Sequence, residues 1–264
     1  MTPFFFGTGK RQLFGAYSPG HVAGSARRAV VLCPPWGHEY IRAHRSMRQL
    51  AERLAAAGVH VLRFDYYGTG DSAGDLTEAS ADGWEDDILT AVQELRDTAD
   101  ARRVGLVGLR LGGSLAARVA EKHPKDVESL VLWDPIVHGS NYVQELMQSS
   151  RLLDFPQEKP TPRSDESGGG HEILGFPLTS RMAAELQSVD LNQLLPRLTV
   201  RTLVVLSSED AAWGPIRGGN LVVPALGLVT LERRECQPCW VQDGSLGAGA
   251  IPVVLLQRIV QWQA

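Results

Sequence analysis

The chain has 264 residues, 44% of them hydrophobic, and a formal net charge of −4 at pH 7. A chain of this length can bury one large core, so we expect a single domain that carries an inserted segment. The acidic balance argues against a nucleic-acid partner, because such binders are usually basic. No stretch approaches the ~20 apolar residues of a membrane span.

The N-terminus and the cysteines carry no targeting or disulfide signal. The apolar run Phe4–Phe6 is too short for a signal peptide, and Lys10 and Arg11 follow it instead of preceding it. Three cysteines do not make a disulfide framework in a chain of this length, and we interpret Cys236 and Cys239 as ordinary thiols near a strand end. We therefore expect a cytoplasmic protein that uses neither a metal nor a cofactor and that binds a small-molecule substrate.

Hydrophobic patterns predict alternating strands and helices. The predicted strands are Leu13–Tyr17, Arg28–Cys33, His60–Phe64, Val104–Val107, Ser129–Trp133, Thr202–Leu206 and Val229–Glu232. The predicted helices are Ser46–Ala57, Trp84–Thr98, Leu111–His123, Asn141–Leu153, Leu178–Leu195 and Val253–Trp262. Strands joined by helical crossovers predict an α/β fold with a mostly parallel central sheet flanked by helices.

The alternation is interrupted between residues 137 and 196. Residues 157–170 are rich in Pro, Gly and charged residues, which predicts a flexible surface loop between helical stretches. We therefore predict a core domain of residues 1–136 and 197–264, with residues 137–196 inserted as a helical cap.

The end of the strand Val104–Val107 carries an unusual turn. Ligands of open α/β sheets bind beyond the carboxyl ends of the strands. Here Gly108 and Gly112 flank a central Arg110 between a strand and a helix, which is the pattern of the nucleophile elbow G-x-S-x-G. The elbow needs glycines because side chains at those positions would clash in the strained turn. Its central residue should be a nucleophile, and here it is an arginine.

On these residues the chain resembles the α/β-hydrolase superfamily over nearly its whole length. The segment Asp65–Ser72 matches the pattern D-x-x-G-x-G-x-S that follows the fourth strand of many such hydrolases, and we interpret it as turn structure. Pro34–Glu39 lies where their oxyanion segment follows the third strand. The chain is similar to serine aminopeptidases and lysophospholipases, and to hydrolase-like proteins of biosynthetic clusters and exosortase systems. The resemblance implies the α/β-hydrolase fold, with the cap inserted after the sixth strand.

Arg110 leaves two interpretations open. A guanidinium stays protonated, has no acceptor and cannot be an acyl nucleophile. A buried, unpaired guanidinium costs several kcal/mol, so it must meet a carboxylate. That carboxylate either belongs to the protein and forms an inert bridge, or belongs to a substrate that Arg110 holds. The nearby Ser114 is expected to pack its helix against the sheet.

The other triad positions are also altered. In the superfamily the acid follows the sixth or seventh strand, which makes Asp134 and Asp210 the candidates, and both are plausible partners for Arg110. The histidine should follow the last strand. All seven histidines lie between His21 and His171, so the base is missing from its usual place.

A second group of polar residues follows the third predicted strand. His38 is a candidate for a direct chemical role, and Cys33 could be drawn with it as a thiolate pair, although we expect Cys33 to point into the sheet. The catalytic candidates are Arg110, Asp134, Asp210 and His38. The binding candidates are Trp36, Gly37, Glu39 and Leu111. We predict no metal ligands.

Two functions remain after these observations. One is an enzyme of small-molecule metabolism (a hydrolase, acyltransferase or cofactor-free lyase with a non-standard mechanism) that acts on an acyl or carboxylate-bearing substrate, including one linked to a carrier protein. The other is a non-catalytic pseudoenzyme that binds a ligand or assists a partner. The two differ in whether Arg110 is paired within the protein or faces an open pocket.

Overall fold

The computed structural model describes residues 1–20, 27–152, 170–207, 221, 227–241 and 249–264. The described strands are β1 (Thr2–Thr8), β2 (Arg11–Ser18), β3 (Ala29–Cys33), β4 (His60–Phe64), β5 (Val104–Leu109), β6 (Val127–Trp133), β7 (Gly170–Ile173), β8 (Phe176–Thr179), β9 (Arg201–Ser207) and β10 (Val229–Arg234). The described helices are α1 (Gly37–Ala56), α2 (Ala81–Ala99), α3 (Leu111–Lys122), α4 (Gly139–Leu152), α5 (Ser180–Gln187), α6 (Leu191–Leu194) and α7 (Val253–Gln263). Short 3₁₀ turns lie at Leu76–Glu78 and Leu195–Arg197.

Eight strands form one sheet in the order β1-β2-β4-β3-β5-β6-β9-β10. β1 pairs with β2, and β2 with β4, in antiparallel fashion, while the other neighbours are parallel. The sequence prediction of a mostly parallel sheet is therefore confirmed. β3 and β5 lie in its middle and are buried along their whole length, which explains their continuous apolar runs.

Helices cover both faces of the sheet. On one face α2 and α3 pack through residues such as Trp84 and Leu115. On the other face α1 and α7 contribute Leu50 and Ile259 to a second buried cluster. This layering brings the carboxyl ends of β3, β5 and β6 to one edge of the sheet, where the elbow lies.

Two elements differ from the sequence prediction at the N-terminal side. Helix α1 begins at Gly37, well before the predicted start at Ser46, because its first turns bury the polar Glu39 and Arg42 and so lack the apolar periodicity. Strand β1 was not predicted, since it lies at the sheet edge with Phe5 59% exposed.

The segment between β6 and β9 is more varied than predicted. The prediction of a single helix over Leu178–Leu195 is wrong. β7 and β8 form an antiparallel hairpin, and two separate helices, α5 and α6, follow it. The reason is two N-caps, because the side chain of Thr179 accepts a hydrogen bond at the start of α5 and that of Asp190 does so at the start of α6. The loop predicted at 157–170 lies outside the described residues, except for Gly170, which begins β7.

Candidate functional site

The nucleophile elbow is present in the backbone between β5 and α3. Arg110 has φ 52° and ψ −122°, a left-handed φ that is uncommon outside glycine. A Cβ on Gly108 would lie 2.4 Å from the carbonyl oxygen of Gly112, and a Cβ on Gly112 would lie 2.3 Å from that of Pro34. Both flanking positions therefore require glycine, and the turn aims the central side chain across the strand ends.

The side chain of Arg110 is buried and paired within the protein. Its Nε donates to Oε1 of Glu39 at 2.8 Å, and its Nη2 donates to the carboxylate of Glu145 at 3.1 and 3.2 Å. Its Cζ lies 3.8 Å from the ring centroid of Trp240. The side chains of Arg110 and Glu39 are each 2% exposed, whereas Glu145 is 19% exposed. The guanidinium thus has one deeply buried partner and one partner near the surface.

A tyrosine completes this cluster. The hydroxyl of Tyr142 donates to the second oxygen of Glu39 at 3.1 Å, and its ring lies 5.4 Å from Cζ of Arg110. Burial by itself lowers the pKa of Arg110, but the negative charges of Glu39 and Glu145 outweigh burial and raise it. The cluster therefore holds Arg110 firmly in its charged form.

The partners of Arg110 differ from those that the sequence suggested. Asp134 does not pair with it: its Oδ1 accepts from the backbone amide of Ser207 at 2.7 Å, and its Oδ2 accepts from the hydroxyl of that residue at 2.7 Å. Asp210, the other candidate, lies outside the described residues. Glu145 was not predicted, because nothing in the sequence links helix α4 to the elbow until the fold places them together.

Trp240 occupies the place between acid and elbow. Its Nε1 donates to Oδ2 of Asp134 at 2.9 Å, and the face of its ring lies on the guanidinium of Arg110. In a hydrolytic triad a histidine has this relation to the acid and the nucleophile. An indole N–H is a donor only, so Trp240 can hold the acid but cannot accept a proton from residue 110.

His38 lies beside the cluster in the first turn of α1. Burial, together with the positive charges of Arg110 and Arg42, lowers the pKa of His38 to about 4, although Glu145 opposes the shift. The imidazole is therefore neutral at pH 7. Its Nδ1 is buried and has no hydrogen-bond partner in the part of the chain that the structure describes.

The predicted binding residues are all placed near the elbow. Trp36 is buried, and its ring lies 6.1 Å from that of Phe176 in β8. Gly37 has φ +60°, and a Cβ there would meet the Phe176 side chain at 3.6 Å. Leu111 is buried at the start of α3. Trp36 and Gly37 pack against the β7–β8 hairpin and Leu111 lies in the core, whereas Glu39 forms an ion pair with Arg110.

The alternative nucleophiles are structural. The hydroxyl of Ser114 is buried and donates to the carbonyl of Ile136 at 2.8 Å. Cys33 is fully buried, and burial raises the pKa of its thiol, so it does not form a thiolate with His38.

The segment after β4 is a tight turn, as predicted. The hydroxyl of Ser72 donates to the carbonyl of Asp65 at 2.6 Å and accepts from the amide of Phe14 at 2.9 Å. A Cβ on Gly70 would lie 2.1 Å from Oδ2 of Asp65, so glycine is required there.

Two further findings concern the described part of the chain only. Its His, Cys, Asp and Glu residues do not gather in any group of three or more that could hold a metal ion. None of its helices combines the length and the apolar character that crossing a bilayer requires.

A family model described as serine aminopeptidase, S33, matches residues 24–213, so the chain belongs to this family of α/β hydrolases. Palmitoyl-protein thioesterase ABHD10 of Bos taurus is 35% identical over 126 residues, which are 47% of this chain and 40% of the relative. The chain thus matches less than half the length of that relative.

Solved structures share the fold at low sequence identity. Est1E from Butyrivibrio proteoclasticus with bound ferulic acid has a TM-score of 0.65 at 14% identity, with 98% of this chain and 96% of that chain covered. Alpha/beta hydrolase domain-containing protein 10 from mouse has a TM-score of 0.58 at 17% identity, with 99% and 98% covered.

Proposed function

We propose that this chain is a non-hydrolytic member of its family, a ligand-binding or accessory protein in the metabolism of acyl or carboxylate-bearing small molecules. The observation that carries the proposal is the buried pairing of Arg110 with Glu39 and Glu145 at the elbow. An arginine that is already paired inside the protein neither attacks an acyl group nor leaves room for a serine-type intermediate.

The neighbouring positions support the same conclusion. The base position is occupied by Trp240, whose indole accepts no proton, and Asp134 has its oxygens engaged by Ser207 and by that indole. The proposed ligand class follows from the relatives: one is named a palmitoyl-protein thioesterase, and one structure holds ferulic acid. A ligand attached to a carrier protein belongs to this class.

We further propose that residues 137–196 form a cap over a core made of residues 1–136 and 197–264. Two side chains of the segment support this division. Glu145 of α4 pairs with Arg110, and Phe176 of β8 lies against Trp36 and Gly37. A movement of the segment would therefore change the charge balance at the elbow.

A second candidate is an enzyme that works without a covalent acyl intermediate, and His38 favours it. The imidazole is neutral, its Nδ1 has no hydrogen-bond partner among the described residues, and the charges of Arg110 and Glu145 act on it electrostatically. A neutral imidazole in such a place can accept a proton from a bound substrate or water. Arg110 would then stabilise negative charge on the substrate.

Labelling with a fluorophosphonate probe tests the main proposal. We expect intact-mass measurement to find no covalent adduct on the wild-type protein, while a serine hydrolase of the same fold is labelled in parallel. A stoichiometric adduct would contradict the proposal.

A thioester hydrolysis assay separates the two candidates. Turnover that is lost in His38→Gln but kept in the matched control His171→Gln, which changes an exposed histidine of β7, would favour the enzyme. An absence of turnover in all three proteins agrees with the non-hydrolytic proposal.

A further inference from the structure

A surface pocket of about 90 Å³ lies beside α1. It opens between the N-terminal half of α1 and the carboxyl-end region of β3 and β4, with Phe14 and Ala16 from the middle of the antiparallel strand β2. Tyr40, His44 and Met47 of α1 line it, together with Phe14 and Arg63 of the sheet. Neither Arg110 nor its partners reach it, so the pocket is separate from the site described above.

Arg63 is the unusual residue of this pocket. Among the described residues, its buried Nε has no hydrogen-bond partner, and its Nη2 donates to the sulfur of Met1 at 3.3 Å, which is a weak acceptor. Across the described ranges, no carboxylate pairs with this guanidinium within 4.0 Å. Burial lowers the pKa of Arg63, and Tyr40, Asp65 and the more distant Glu52 oppose that shift only in part. Arg110 is compensated by two carboxylates, whereas Arg63 is not.

The acid in the same pocket is already engaged. Asp65 accepts from the hydroxyl of Tyr40 at 2.7 Å through Oδ1 and from the amide of Asp71 at 3.1 Å through Oδ2. Both oxygens of its carboxylate are therefore engaged by groups other than Arg63. A partly buried guanidinium that lacks a paired carboxylate favours the binding of an anion.

We propose that this pocket binds a small organic monocarboxylate, whose carboxylate pairs with Arg63 and whose apolar body packs on Phe14 and Met47. A guanidinium matches a planar carboxylate with two parallel hydrogen bonds. The apolar lining, which includes Pro34, favours a hydrocarbon body over a bare inorganic ion. Asp65 and Asp71 also line the pocket, and they disfavour a doubly charged ligand such as phosphate.

The methionines provide a direct test with benzoate as the probe. The chain has four of them. Met47 lines the pocket and Met1 contacts Arg63, whereas Met147 and Met182 belong to α4 and α5. With isotope-labelled methionine methyl groups, we expect benzoate to shift the NMR signals of Met1 and Met47 and to leave the other two unchanged. Shifts confined to Met147 and Met182 would overturn the proposal.

Charge dependence is the second part of the test. We expect Arg63→Met to weaken benzoate binding at least roughly tenfold, and Arg181→Gln to leave it unchanged. Arg181 is a suitable control, because it is an exposed arginine of α5 that pairs with Glu185 and does not line the pocket. Equal binding by wild type and Arg63→Met would overturn the proposal.

A wild-type comparison covers the case in which Arg63→Met does not fold. The neutral amide benzamide should bind at least roughly tenfold more weakly than benzoate. Equal binding of the two, or no binding of benzoate up to about 10 mM, would overturn the proposal.

Discussion

The chemistry at the elbow depends on which carboxylates balance the positive charge of the Arg110 guanidinium. Arg110 has two carboxylate partners of unequal exposure, Glu39 at 2% and Glu145 at 19%. The inner one cannot be solvated if its partner is removed, whereas the outer one can. The Arg110–Glu39 pair is therefore the structural part of the cluster, and Glu145 is the part that a ligand carboxylate could replace.

This difference predicts the effect of removing the charge. Arg110→Met should lower the free energy of unfolding by about 3–5 kcal/mol, because it leaves Glu39 charged and buried. Adding Glu39→Gln should recover much of that loss, while adding Glu145→Gln should recover little. Urea unfolding of the three variants measures this. Equal recovery by both second substitutions would mean that the two carboxylates are equivalent.

His38 predicts a pH dependence of stability. Its pKa is about 4 in the folded chain against an ordinary value of 6.5, so between those pH values the unfolded chain binds a proton that the folded chain does not. The contribution of His38 should therefore fall as the pH drops from 6.5 to 4, by on the order of 3 kcal/mol, and stay level below pH 4.

Urea unfolding at several pH values checks this, with His38→Gln beside His171→Gln. The slope between pH 4 and 6.5 should flatten in the first variant only. An unchanged slope in His38→Gln would contradict the assignment.

At the scale of the elements, the sequence predicted those that have a hydrophobic pattern or a steric requirement. The buried strands have continuous apolar runs. The elbow needs Gly108 and Gly112, because a side chain at either position would collide with the backbone. The beginning of α1 has neither feature, since its buried residues are charged and pair with groups far along the chain. The hairpin of β7 and β8 was missed because each strand has only four residues, which is too short to show a clear alternation of apolar and polar residues.

The steric requirement for glycine at the elbow can be tested by comparison with a glycine that has free space around it. In Gly112→Ala the new Cβ would meet two backbone carbonyls at 2.3 and 2.4 Å, so we expect a loss of roughly 3 kcal/mol or more in unfolding free energy. Gly175→Ala is the control, because Gly175 has φ +86° and nothing within 4 Å of its Cβ position. It should lose only about 1–2 kcal/mol. Similar losses in thermal unfolding would mean that the elbow contacts are not decisive.

At the scale of the whole molecule, we propose that Arg110, Trp240 and Asp134 stand where a hydrolase of this fold has its nucleophile, base and acid. Two contacts support this proposal: the ring of Trp240 lies on the guanidinium of Arg110, and its Nε1 donates to Asp134. The sequence located Arg110 and Asp134 because they follow strands. It did not identify Trp240, which follows β10 and reaches the elbow only because the fold brings distant parts of the chain together. The sequence also did not predict that Glu39 and Glu145 both pair with Arg110, because the three residues lie far apart along the chain.

Esterase activity with p-nitrophenyl butyrate shows whether the elbow lacks both a nucleophile and a base. We compare the wild type, Arg110→Ser and the double variant Arg110→Ser with Trp240→His. The first two should stay far below the ~10⁴ M⁻¹ s⁻¹ that marks the low end of kcat/KM for natural enzymes, because a serine without a base is not activated. The double variant should exceed Arg110→Ser by roughly 100-fold or more, since it restores a base between Asp134 and the elbow. Efficient turnover by the wild type, or by Arg110→Ser alone, would contradict the non-hydrolytic proposal.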